Sequence, residues 1–191
     1  MSARTRLLLA PVARPGTIVA GVLALAAGIF LIAGMLLPST VEVTRTVDVE
    51  TPSDTIFPLL DDLRAWMEWT PWSEVASHLE GRPSGPGASR VWDDPRLGTG
   101  SLTLVRTRPP SSEEGAVGVD YLVELEGGAI AFSGTIALED RGAATRVVWT
   151  ERADLGWNPL LGWTALGMEE SQGRQLEESL GRLKDLAEGD R

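Results

Sequence analysis

Val117-Gly118-Val119-Asp120-Tyr121-Leu122-Val123-Glu124-Leu125, then Glu126-Gly127-Gly128, then Ile130-Ala131-Phe132-Ser133-Gly134-Thr135-Ile136-Ala137-Leu138, is the stretch on which the fold turns. Successive side chains on a strand point to opposite faces, so a half-buried strand alternates apolar and polar residues. In the first limb Val117, Val119, Tyr121, Val123 and Leu125 face one way, and Asp120 and Glu124 the other. The second limb places Ile130, Phe132, Ile136 and Leu138 together. Two such limbs joined by a short glycine-containing turn predict an antiparallel hairpin.

The pattern continues on both sides. Glu139-Asp140-Arg141-Gly142 reads as a further turn, and Thr145–Glu151 puts Val147 and Trp149 on one face. Upstream, Ser89–Asp93 with Trp92 and Gly100–Thr107 read as two more strands, which makes a meander. Val41–Val49 also alternates, with Val41, Val43, Val47 and Val49 inward. Arg45 interrupts that face, at the strand's open end or in an ion pair. Thr51-Pro52-Ser53-Asp54 is a helix start: Thr51 as cap, Pro52 at the first helical position, Asp54 closing a capping box. Ile56, Phe57, Leu60 and Leu63 form its stripe, and Pro58 predicts a short or bent helix. A closing helix is predicted over 159–188, with Leu176, Leu180, Leu183 and Ala187 on one face. One sheet with one apolar face and one long amphipathic helix pack as two layers, an α+β arrangement.

Ahead of this domain, Thr17–Leu37 (TIVAGVLALAAGIFLIAGMLL) contains no charge. At ~1.5 Å per residue it spans ~31 Å, the hydrocarbon thickness of a bilayer. The competing reading is a cleaved signal peptide. That reading wants a core of about 7–15 residues followed by a small-x-small site, and Ala24-Leu25-Ala26 lies in the middle of this run. Arg4, Arg6 and Arg14 precede the run, and only Arg45 lies close after it. The positive-inside rule therefore predicts a cytoplasmic tail over 1–16, a transmembrane helix over 17–37 and an extracytoplasmic C-terminal domain over 41–188.

The formal net charge is −10, and every one of the 27 carboxylates follows the apolar run. An acidic domain repels phosphate backbones, which argues against a nucleic-acid partner. With no cysteine there is no disulfide scaffold, thiolate metal site or cysteine nucleophile. His78, the single histidine, lies beside Ser77 and Glu80 in an expected loop and reads as solvent-facing. The pairs Asp61-Asp62, Asp93-Asp94, Glu113-Glu114 and Glu169-Glu170 read as solvated surface, because neighbours diverge on a strand or a helix. No phosphate loop or dinucleotide fingerprint occurs, so no cofactor is expected. Lys184 is the only lysine among many arginines, and with abundant Ala and Gly this suggests a GC-rich, bacterial coding sequence.

The chain resembles the START-like superfamily, also called SRPBCC, and within it the polyketide cyclase/dehydrase-like group, here with an N-terminal membrane anchor. The resemblance is carried by VTRTVDVETPSDTIFPLL (43–60 with the preceding strand start), WMEWTPW (66–72), GPGASRVW (85–92), GTG (98–100), GAATRVVWTE (142–151) and GRQLEESLGRLKDLAE (173–188). It covers Val41 to Glu188. It implies a helix-grip fold, a curved antiparallel sheet wrapped around the long C-terminal helix, with an internal hydrophobic cavity for lipids, polyketides or other apolar molecules. Pro58 departs from the family's uninterrupted first helix.

In such a cavity the candidate ligand-binding residues are Trp92, Tyr121, Phe132 and Trp149 on the sheet, and Trp163, Met168, Gln172 and Gly173 on the closing helix. The small Gly162, Gly167 and Gly173 leave volume there, while Gln172 and Gln175 bring amides. No catalytic or metal-binding residue is assigned. Three functions remain open: a membrane-anchored module binding a small apolar, lipid-like or polyketide-like ligand; a cyclase or dehydratase acting in the same cavity; and a non-binding envelope structural protein. For the enzyme, the acid–base group would be Tyr121 with Asp120 or Glu124, although strand alternation sets both carboxylates on the opposite face.

Overall fold

The computed structural model describes residues 15–95, 98–112, 116–156 and 158–189. The tail expected over 1–16 and the Glu113-Glu114 pair lie wholly or almost wholly outside them.

Helix α1 runs Pro15–Leu36, and most residues of its apolar Ile18–Leu36 stretch are exposed. It is one helix long and apolar enough to cross a membrane. The domain follows as β1 (Thr40–Val49), α2 (Ser53–Asp61), α3 (Trp66–Trp69), a 3-10 turn at Pro71–Glu74, and β2 (Ser77–Glu80). Then come β3 (Ser89–Asp94), β4 (Gly98–Arg108), β5 (Val117–Leu125), β6 (Ile130–Asp140), β7 (Thr145–Asp154) and α4 (Pro159–Glu188). The seven strands form one antiparallel sheet in the order β1-β7-β6-β5-β4-β3-β2. The helices α2 and α3 carry the chain from the β1 edge to the β2 edge. The curved sheet and α4 enclose the core, which is the helix-grip arrangement.

The alternation predicts the inward face well. Val119, Tyr121, Val123, Ile136, Leu138, Val147 and Trp149 are all buried. On the outer face, Asp120 is gripped by both guanidinium nitrogens of Arg108 (2.6 and 2.9 Å) and by the Thr135 hydroxyl at 3.1 Å. The Arg108 hydrogen bonds hold the Asp120 carboxyl below the usual carboxylate range.

Helix α4 begins where Asn158 Oδ1 accepts from Leu160 N at 3.0 Å with Pro159 in the first turn, and it ends at Gly189 with φ +77°. Leu176, Leu180 and Leu183 sit in the main core, each no more than 2% exposed. Lys184 Nζ donates to Asp48 O (2.7 Å) and to Glu188 (2.8 Å), which ties the end of α4 to β1.

Three local expectations are corrected. Thr51 does not cap α2: Pro52 occupies the cap position with no side-chain bond, and the Thr51 hydroxyl turns to the carbonyl of Ala187 at 3.4 Å. Ser77–Glu80, expected as loop, is the edge strand β2, paired with β3. Its four residues are too few for periodicity to register. Glu139 and Asp140 still belong to β6, and the turn lies over 141–144, closed by Arg141 N to Ala144 O at 2.9 Å. As Pro58 predicts, α2 is short, at nine residues.

Candidate functional site

Tyr121, Gly134 and Glu151 lie side by side on three neighbouring strands: Tyr121 pairs with Gly134, and Gly134 pairs with Glu151. All three point to the concave face. A Cβ on Gly134 would land in the Tyr121 ring. Because Gly134 has none, the phenol lies across β6, and its hydroxyl donates a short hydrogen bond to Glu151 Oε1. Trp149 Nε1 donates to the same Tyr121 oxygen at 2.8 Å, and Gln172 of α4 donates to Glu151 Oε2 at 2.6 Å. Tyr121, Trp149 and Glu151 are 2%, 4% and 9% exposed. Burial, and then the Glu151 charge, push the Tyr121 hydroxyl well above its usual range near 10.

This network forms part of the wall of a cavity of about 180 Å³ between the sheet and the middle of α4. Trp92 (β3), Val123 and Leu125 (β5), and Phe132 (β6) complete the sheet side; Gln175 and Leu176 complete the helix side. Thr70, Pro71 and Trp72 close it from the segment between α3 and β2. The Trp72 and Trp92 rings pack at 4.8 Å with a 42° tilt. The Trp92 Nε1 atom is buried and has no hydrogen-bond partner.

The spacing of three residues between Trp66, Trp69 and Trp72 reflects the α3 helix and the 3-10 turn after it. Trp66 Nε1 donates to Leu60 O at 2.9 Å, and its ring stands edge-on to Tyr121 at 5.2 Å. Trp69 Nε1 donates to Leu59 O at 3.2 Å, and its ring meets Trp149 at 5.5 Å. These two tryptophans buttress the cavity wall from behind, and Trp72 belongs to the wall itself. Buried Arg90 braces the same segment, donating to Leu63 O and Ser77 Oγ, each at 3.0 Å. Loss of water around it lowers its pKa.

Of the residues expected in a cavity, the structure gathers Trp92, Tyr121, Phe132, Trp149 and Gln172. It places Trp163, Met168 and Gly173 elsewhere. Trp163 stacks flat on Phe30 of α1 at 4.8 Å and donates to its carbonyl at 3.3 Å. Met168 packs with Phe132 against a separate small cluster of Ala153, Leu155 and Ala165. Gly173 makes room for the Arg45 guanidinium, which a Cβ there would strike. Arg45 in turn pairs with Glu177 at 2.6 Å, the ion-paired alternative of the two expected for it. Helical side chains one residue apart diverge by about 100°, so Gln172 and Gly173 serve different faces.

Glu151 and Trp72, with Thr70 and Pro71 beside the latter, are the wall residues that sequence reasoning passes over. Glu151 shares strand parity with Val147 and Trp149, and that parity alone places it inward. An acidic residue near a strand end otherwise reads as solvated. His78 stays exposed on the edge strand. Among the described residues, no group of three or more His, Asp or Glu side chains is placed to hold a metal ion.

Tyr121 is the only tyrosine, so the near-ultraviolet tyrosinate signal of the whole chain reports on it. Its folded pKa lies above its unfolded value, so its contribution to stability is complete below about pH 10 and is lost as pH rises through the folded pKa. Alkaline titration should show no tyrosinate absorbance near pH 10 while the circular dichroism remains native. Ionisation near pH 10 in the folded chain would contradict the buried network.

A family model for polyketide cyclase / dehydrase and lipid transport matches residues 40–188. No match is found among curated proteins. Among solved structures, a hypothetical protein from Helicobacter pylori aligns with a TM-score of 0.59 at 9% identity, over 77% of this chain and 88% of its own. A Thermobifida fusca protein solved by solution NMR aligns with a TM-score of 0.56 at 23% identity, over 76% and 92%. Thalictrum flavum norcoclaurine synthase, as a point mutant in complex with a transition state analogue, aligns with a TM-score of 0.57 at 10% identity, over 78% and 94%. At these identities the likeness is one of fold.

Proposed function

The chain belongs to the polyketide cyclase/dehydrase and lipid transport family, and from that premise we propose that it is a membrane-anchored domain binding a small lipid-like or polyketide-like molecule in the cavity beneath α4. The observation that carries this reading is the cavity wall. It is largely aromatic and aliphatic, with a few polar groups, Glu151, Gln172 and Gln175, that can orient a guest. Its volume of about 180 Å³ lies below the ~300–1,000 Å³ of drug-sized sites. The enclosed part of the ligand is therefore a small molecule, or one end of a larger one. Trp92, Tyr121, Phe132, Trp149 and Gln172 contact it, together with Trp72 and Glu151.

Apolar fluorophores test this. The full chain in maltoside micelles should bind one at a single saturable site above the micelle background. Trp72→Ala and Phe132→Ala should each weaken that binding with little loss of stability. Binding that neither substitution alters would place the site elsewhere.

The chain divides into a cytoplasmic tail over 1–16, a membrane-spanning helix over 17–37 and the binding domain over 41–188. The uncharged α1 and the arginines before it support this arrangement. Protease added to intact spheroplasts should then digest the domain. Digestion only after detergent lysis would reverse the orientation.

One observation favours a second reading. Tyr121 and Glu151 form a buried hydroxyl–carboxylate pair at the cavity wall, the arrangement a cyclase or dehydratase would need for proton transfer. Turnover of a bound polyketide-like compound, abolished by Glu151→Gln, would establish it.

A further inference from the structure

Among the described residues, Glu151 is the only acidic side chain lining the cavity, and neither lysine nor arginine lines it. Its two oxygens accept from neutral groups, the Tyr121 hydroxyl and the Gln172 amide. The arginine on the neighbouring strand, Arg45, is engaged by Glu177 at 2.6 Å. A carboxylate taken out of water is costly unless an opposite charge meets it, and two neutral donors supply none. A neutral guest would displace what water reaches Glu151 and raise that cost.

The remaining wall points the same way. Tyr121 with Trp149 (6.5 Å, 73°) and Trp72 with Trp92 (4.8 Å, 42°) form two aromatic pairs lining the cavity, and Phe132 adds a fifth ring. Aromatic faces carry negative partial charge and attract cations. The acceptors of the wall are few, namely Glu151, the Gln172 and Gln175 amides and Thr70, and most of its surface is aromatic or aliphatic carbon. A methylated ammonium suits such a wall, because its methyl groups pack on carbon while its charge is met by the rings and by Glu151.

We propose that the cavity recognises a methylated ammonium group through Glu151 and the surrounding aromatic rings. The proposal rests on the binding reading above and names the chemistry of the ligand. A free amino alcohol and a choline lipid headgroup share that chemistry.

The test compares choline with its neutral isostere neohexyl alcohol, in which carbon replaces nitrogen. Both are titrated into the full chain in maltoside micelles and followed by tryptophan fluorescence and calorimetry. Choline should bind at least about tenfold more tightly, the effect of a desolvated cation on aromatic rings and a carboxylate. Glu151→Gln keeps the shape of the side chain and removes its charge, so it should shrink the difference to what the rings alone supply. Equal affinity of the two compounds for the unaltered chain overturns the proposal, whatever the variant does. So does failure of choline to displace a bound apolar fluorophore; in that case the cavity still binds and takes neutral guests. If neither compound nor any fluorophore binds, the binding reading itself fails. Mixed micelles separate the two sources. Loss of choline binding with phosphatidylcholine, but not with phosphatidylglycerol, assigns the ammonium to a lipid headgroup; retention in both assigns it to a free amine.

Discussion

Trp66→Ala is expected to lower the unfolding free energy by about 3–5 kcal/mol, the range for emptying a fully buried tryptophan site. Trp66 is 1% exposed, and its ring lies within 5.1–6.5 Å of Trp69, Tyr121 and Trp149. Truncation leaves a void behind the cavity wall and strips the Leu60 carbonyl of its buried donor. Trp66→Phe separates the two contributions: it keeps an aromatic ring in place and loses the hydrogen bond, for about 1–3 kcal/mol. Urea unfolding followed by far-ultraviolet circular dichroism measures both without relying on the tryptophan being removed. A loss below about 1 kcal/mol for the alanine variant, ordinary for an average substitution, would mean that Trp66 does not sit in the core. The alanine variant should also loosen Tyr121, which Trp66 meets edge-on, and bring forward the alkaline ionisation of the phenol.

Leu180→Ala should cost about 2–5 kcal/mol in the same assay, with no direct effect on the cavity. Leu180 is 2% exposed in the core between α4 and the sheet, one helical turn beyond cavity-lining Leu176. The void it leaves lies under the closed half of α4, so binding of an apolar fluorophore at temperatures well below the unfolding midpoint should persist. A change under about 0.5 kcal/mol, the size expected of surface positions, would place Leu180 on the solvent side of α4.

These two residues differ in how far they are legible in the sequence. Leu180 belongs to a stripe with Leu176 and Leu183, and a helix of 3.6 residues per turn turns such a stripe to one side. Its burial follows from spacing alone. Trp66 lies in a short run between a proline-interrupted helix and a glycine-rich loop. Its three-residue spacing to Trp69 and Trp72 marks a common side, but not which partners it meets. Those partners, Tyr121 and Trp149, lie more than fifty residues away in the chain.

The cavity divides in the same way. Alternation sends Trp92, Tyr121, Phe132 and Trp149 inward, and all four line it. Alternation also sends Asp120 outward, where Arg108 holds it. It leaves open which inward residues touch. Tyr121 meets Glu151 because the hydrogen-bond register sets Gly134 between them, and register is a relation among three strands.

By itself, then, the sequence determined the antiparallel meander, its inward and outward faces, the closing helix with its buried stripe, and an uncharged helix long enough to cross a membrane. These properties repeat along the chain with the two or 3.6 residues that backbone geometry imposes, so each can be read locally. Only the tertiary structure decided that Glu151 is the carboxylate on Tyr121, that Gly173 lies against the Arg45 guanidinium, and that Trp163 stacks on Phe30. Each of those contacts joins residues that are distant in sequence, and it depends on lateral strand register or on where one helix crosses another. No local periodicity encodes that placement; the packing of the whole sheet and its helices does.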